Sequence, residues 1–348
     1  MKKFWTIIIT NAICMLLASC SHSEGQTEEN VQTEKSEPSV QSSTTNLSSS
    51  GTSADITVGD QTFHVISLHE DIMEYAAAVE KNASVDKKEV YREKVVRPLR
   101  KQVAETDAHI YDNYYSFLSP NTNITKLKDN AQKLADDEDR ILRLVEEAVI
   151  DSAEQMPGID KTIIILPVNP DEYFIIDKMG GVAGVALSQD TFVARIDPSF
   201  TDEGLKHLIA HEYHHTLQTE KRAEAASTLM EAFVMEGKAD AFASVVYPDY
   251  SAPWTEPLSE KASEKVFDKL RKEGNDFDYK LYMEFLSGNS SSGITHWTNY
   301  RLGYQITQSY LQNNPEVSVE EWTGIVPKEI ILGSEFKGVF EELESSKD

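Results

Sequence analysis

The stretch that decides the reading is His207-Leu-Ile-Ala-His211-Glu212-Tyr-His214-His215-Thr-Leu-Gln218. It contains the pattern H-E-x-x-H. On a helix, His211 and His215 stand one turn apart, so both imidazoles project from one face and can hold a single Zn²⁺. Glu212 lies within reach of a water at the open position. A zinc held this way lowers the pKa of water to about 7 and works with a neighbouring carboxylate base. Those are the parts needed for peptide-bond hydrolysis. The flanks read as helix: Thr201 or Asp202 can cap, Asp202 and Glu203 fill the first turn, and Leu205, Leu208, Ile209 and Leu217 supply apolar contacts. His207 and His214 read as ordinary, partly exposed histidines, with His207 at most lining the cleft.

A third ligand is required, and the next helical stretch offers it. Residues 223–246, AEAASTLMEAFVMEGKADAFASVV, contain no Pro, many helix formers and small residues at Gly237, Ala239, Ala241 and Ala243. Glu236 and Asp240 are one turn apart there. The expectation is that Glu236 binds the metal through a carboxylate oxygen, and that Asp240 accepts a hydrogen bond from the non-ligating nitrogen of a ligand histidine, fixing its tautomer. Glu231 and Glu224 are the competing carboxylates.

His211-Glu212-x-x-His215 followed by Glu236-Gly-x-Ala-Asp240 resembles the gluzincin metalloproteases, of which thermolysin is the familiar member. The chain departs from that pattern at Met235, where an Asn commonly precedes the ligand Glu, and it shows no His-based transition-state motif. A wider stretch, 160–312, resembles a bacterial family of predicted zinc-dependent proteases, through Gly180 to Ile196, the two motif helices and Tyr300-Arg-Leu-Gly-Tyr304. The resemblance implies a zincin-like α+β fold and peptidase activity with one zinc. The sequence fits a mostly helical chain with a small mixed sheet before the H-E-x-x-H helix.

The chain starts with Lys2 and Lys3, a mostly apolar stretch from Phe4 to Leu17, and Leu17-Ala-Ser-Cys20, which resembles a bacterial lipobox. Residues 1–19 are expected to be a lipoprotein signal peptide and Cys20 the lipidated N-terminus; a plain secretory signal or short anchor is the alternative. Cys14 and Cys20 are the only cysteines, so the folded part must be stable without disulfides. Ser21 to Ala54 is rich in Ser, Thr, Gln and Glu with few large aliphatics, which predicts a disordered tether with a reach of about 30 Å. The expected location is the extracytoplasmic face of the cell membrane, through the lipid anchor only.

Residues 55–348 read as the protease domain: a helical part at 55–158, a catalytic part at 159–312 and a tail region at 313–348. The net charge of −25 disfavours nucleic acid and anionic surfaces, which need a positive footprint. Ile56 to Val65 reads as a hairpin around Gly59-Asp60, and Ser67 with Glu70 as a capping box. Helical patterns follow at 85–104, interrupted by Pro98, and at 126–153. Thr162 to Leu166 reads as a buried strand, Gly180 to Gly184 as a turn, and 185–196 as strand-like through Phe192, Val193 and Ile196; the zincin resemblance implies that a strand just before the metal helix forms the sheet edge, on which an extended peptide could pair. Further helices are expected at 264–271 and 277–286, with a flexible loop at Gly288 to Gly293. His296, Tyr300 and Tyr304 are candidate donors to the developing oxyanion, Tyr304 ahead of the others. The combined expectation is a lipid-anchored zinc endopeptidase acting on peptides or proteins, with Glu212 as base. Aminopeptidase action and a non-catalytic peptide- or partner-binding lipoprotein with structural zinc are the rivals.

Overall fold

The structure is a computed structural model that describes residues 44–47, 53–111, 116–120, 123–222 and 226–345. The expected signal segment, Cys20, the tether up to residue 43 and Glu224 lie outside the described residues. Six strands form one mixed sheet: β1 (Thr44–Leu47), β2 (Ser53–Val58), β3 (Gln61–Ser67), β4 (Lys161–Pro167), β5 (Val182–Ala186) and β6 (Thr191–Ile196), in the order β1-β2-β3-β4-β6-β5. β2 and β3 are the expected hairpin, with Ile56 opposite Phe63 and Gly59 at φ +60° in the turn. β4 runs parallel to both β3 and β6, while β5 returns antiparallel to β6 and forms one edge.

The unbroken apolar run of β4 has a simple cause. Ile163 and Ile165 enter one core with Phe192, Ala194 and Tyr213, while Ile164 and Leu166 enter another with Val193, Tyr75 and Leu99. A strand covered on both faces has no solvent side on which to place polar residues. The second of these cores is closed by α1 (His69–Lys81), α2 (Lys87–Tyr91), a π-helical turn (Arg92–Val96), α3 (Arg97–Gln102) and α4 (Ile124–Asp136). The first is closed by α5 (Glu138–Gln155) and, beyond α6 (Tyr173–Lys178), by α7 (Asp202–Glu220), which packs on β5, β6 and α5. A third, mainly helical core gathers α8 (Leu229–Val246), α9 (Glu260–Glu273), α10 (Tyr279–Ser287), α11 (Thr298–Asn313), α13 (Pro327–Leu332) and α14 (Lys337–Ser345), with α12 (Val319–Gly324) contributing Trp322 to the first. The chain is thus α+β, mostly helical, with a small mixed sheet.

Several expectations change. The tether does not extend to residue 54: β1 pairs Leu47 with Ala54 and Thr44 with Thr57, so part of that polar stretch gains backbone hydrogen bonds on the sheet. Ser67 does not cap α1, whose N-cap is Leu68; its Oγ lies 3.2 Å from Glu138 Oε2 and 3.0 Å from His69 Nδ1. Pro98 sits in the first turn of α3, where a missing N–H costs nothing, and does not end the helical run. The 126–153 pattern is two helices meeting at Asp137. Within 55–158, β2 and β3 share the sheet with β4, and within 313–348, Trp322, Ile330, Ile331 and Phe340 are buried in the cores.

Candidate metal centre

α7 begins where Thr201 accepts a hydrogen bond from Gly204 N at 3.1 Å, with Asp202 and Glu203 in the first turn against the positive end of the helix dipole. The helix has no solvent face from His207 to Gln218, because the sheet, α5 and α8 surround it. α8 begins later than the sequence pattern suggests, at a capping box made by Thr228 and Glu231. Glu231 accepts from Ser227 N at 2.6 Å and Thr228 N at 3.0 Å, so that competing carboxylate is committed to the helix start. α8 in turn is crossed by α11 through Gly237 and Gly303, with no room for a Cβ on either.

These helices bring three donor atoms together. His215 Nε2 lies 3.2 Å from His211 Nε2 and 3.3 Å from Glu236 Oε2, and His211 Nε2 lies 3.4 Å from the same oxygen. A tetrahedral zinc with bonds of about 2.0–2.1 Å separates its ligand atoms by about 3.3 Å. The triangle therefore has the size of one face of such a tetrahedron, and two imidazoles with a carboxylate are a donor set that zinc takes. His211, His215 and Glu236 form the only such cluster among the described residues.

The groups behind the triangle hold it in place. Asp240 Oδ1 accepts from His211 Nδ1 at 2.9 Å, which presents Nε2 as the free donor, and the same oxygen accepts from Trp254 Nε1 at 3.0 Å. The Gln218 amide stands 3.3 Å from His215 Nδ1. Tyr282 donates to the other oxygen of Glu236, Oε1, at 3.3 Å. Glu212 is buried against the edge strand: Ala186 N–H points to its carboxylate, Oε2 has no partner, and a Cβ at Gly184 would collide with the side chain.

Tyr300 stacks on His211 with ring centroids 6.2 Å apart and 22° between planes. Tyr304, ahead of it on sequence grounds, donates to Ser244 Oγ at 3.3 Å and is not among the cleft-lining residues. His296 is exposed and lies against Phe174, 5.6 Å between centroids. His207 and His214 are not partly exposed as expected; both are buried. His207 packs against Tyr250 and Trp254 at the cleft, whereas His214 is a core residue stacked on Phe242 and Trp322 with Nε2 3.0 Å from Thr323 Oγ1.

The electrostatics favour a cation at the centre. Burial pushes His211 down, but Asp240 and Glu236 outweigh it and hold the imidazole well above its ordinary value. Burial pushes Glu236 up, yet His215 and His211 hold it below the usual carboxylate range. Glu212 is raised by burial, against the pull of the two histidines. A pocket that draws a proton onto a buried imidazole through two carboxylates presents the same field to a metal ion. The centre opens into a cleft of about 470 Å³, walled by Gly184, Leu208, Trp254, Met283, Tyr300 and residues of α6.

Trp254 and Tyr282 carried no sequence signal, since each reaches the site only through tertiary packing from a loop or a distant helix. Gly184 was visible only as part of a Gly-rich turn, and it lies inside β5 instead. A family model described as a predicted Zn-dependent protease (DUF2268) matches residues 141–332, more than half of the chain. The match covers both motif helices and extends past the 160–312 region at both ends. Comparison with curated proteins and with solved structures finds no match.

Proposed function

The chain belongs to the predicted Zn-dependent protease family, and from that premise we propose that it hydrolyses peptide bonds with one Zn²⁺ held by His211, His215 and Glu236. The observation that carries the reading is the triangle of Nε2, Nε2 and Oε2 with edges of 3.2–3.4 Å. Bound there, zinc supplies Lewis acidity toward a carbonyl oxygen and lowers the pKa of a water to about 7. Glu212 takes the proton of the attacking water and passes it to the leaving amine. Its unpartnered Oε2 and its fixed seat against Ala186 and Gly184 suit it to that transfer. Asp240 keeps the proton on His211 Nδ1, and Tyr300, stacked on His211 and lining the cleft, serves as the donor to the developing oxyanion in place of Tyr304.

An extended substrate would lie along β5, which ends the sheet among the described residues and whose residues Val182, Ala183 and Gly184 line the cleft. This arrangement supports a zincin-like, gluzincin-type endopeptidase. Three protein donors leave a fourth position open, which weighs against a structural zinc in a binding lipoprotein. The positively charged start, the apolar run and Leu17 to Cys20 support anchoring by lipid at the extracytoplasmic face. Among the described residues no helix is long and apolar enough to cross a membrane. Chelation tests the reading: stripping metal from the purified chain should abolish cleavage of a peptide library and one equivalent of zinc should restore it. Cleavage by the metal-free chain would contradict it.

A further inference from the structure

The two oxygens of Glu236 are used differently. Oε2 faces both imidazole nitrogens, at 3.3 Å from His215 and 3.4 Å from His211, whereas Oε1 accepts a hydrogen bond from Tyr282 Oη at 3.3 Å. Tyr282 is 1% exposed and cannot swing away without opening the helical core, where its ring packs on Phe233 and Phe277. A phenol is protonated near neutral pH, its ordinary pKa being about 10, so Tyr282 is a permanent donor. The hydrogen bond thus engages Oε1, while Oε2 is the oxygen that faces the two imidazoles.

We propose that Tyr282 is a positioning residue that restrains Glu236 to bind the metal through Oε2 alone, keeping a coordination position free for water. A carboxylate can bind a metal through one oxygen or through both. If Glu236 chelated, it would occupy the position at which water must enter. This inference rests on the zinc reading and adds the denticity of the third ligand and the residue that sets it. Tyr282 does not touch substrate or the reacting atoms, and its effect passes through Glu236.

The test compares the full chain with Tyr282→Phe, which keeps the ring and removes the donor. Zinc affinity by chelator competition should fall about 10–100-fold, the usual cost of losing a partner of a metal ligand. Cobalt(II)-substituted wild type should give the intense visible bands of a four-coordinate site, and the variant the weaker bands of a site with a fifth ligand. Superimposable cobalt spectra would overturn the proposal, whatever the affinity, while leaving the zinc reading intact. Should the variant not fold, X-ray absorption on zinc-loaded wild type decides: one carboxylate oxygen at bonding distance supports the proposal, two overturn it. Wild type that takes up neither zinc nor cobalt overturns both.

Discussion

Gly237 and Gly303 meet backbone to backbone: a Cβ on Gly237 would overlap the Gly303 carbonyl, and one on Gly303 would overlap the carbonyl of Phe233. This contact seats α11 low on α8, so that Tyr300 lies over His211 and Tyr304 reaches Ser244. Adding a methyl group at either glycine must push the helices apart. Gly303→Ala should cost about 3 kcal/mol, at the upper end of overpacking effects. For a domain of this size that is a fall of roughly 5 °C or more in Tm. Calorimetry checks it, and an unchanged Tm would show that the helices can separate freely.

Gly184 acts on the Glu212 carboxylate more directly. A Cβ there collides with Glu212, yet β5 is an edge strand that can absorb a small shift. Gly184→Ala should leave zinc content near one equivalent and change Tm little, while lowering kcat at least about tenfold through displacement of the base. Loss of zinc together with activity would instead place the damage at the metal.

Asp240 is the shared acceptor of His211 Nδ1 and Trp254 Nε1. Asp240→Asn keeps the size of the side chain but removes the charge that fixes the His211 tautomer. Zinc affinity should fall about 10–100-fold, measured by competition with a chelator. An unchanged affinity would mean that His211 is oriented by its packing alone.

Four of these positions were legible in the sequence for one reason: His211 with His215, and Glu236 with Asp240, are each pairs on a single helix turn, where spacing alone fixes a common face. The strand pattern of Ile163 to Leu166 was equally local. What spacing cannot give is where one helix stands against another. Tyr300 and Tyr304 share a face of α11, and only the Gly237–Gly303 contact decides which turn is level with the metal centre. Trp254 and Tyr282 reach the site from a loop and a distant helix, and Thr44 to Leu47 joins the sheet through backbone hydrogen bonds that a polar composition does not announce. His214 looked like a surface residue because its partners, Phe242, Thr323 and Trp322, are remote in sequence.

His207 gives a pH dependence of stability. Burial, only partly offset by Asp240, pushes its pKa from 6.5 down to about 4. In the unfolded chain it takes up a proton near pH 6.5, so its contribution is intact above that pH and is lost as pH falls toward 4. The loss should approach about 3 kcal/mol. Denaturant titrations of metal-free wild type and His207→Phe should diverge in slope across that window, with wild type losing stability faster. Parallel curves would mean that His207 can be protonated in place.

Zinc content and peptide cleavage, measured together on purified wild type and Glu212→Gln, test the central claim most directly. One equivalent of zinc in both, with the variant about 10²–10⁴-fold slower, is the predicted result for removal of a general base from an intact metal centre. Cleavage by Glu212→Gln at the wild-type rate, or wild type that cleaves without zinc, would contradict the assignment of Glu212 and of the metal.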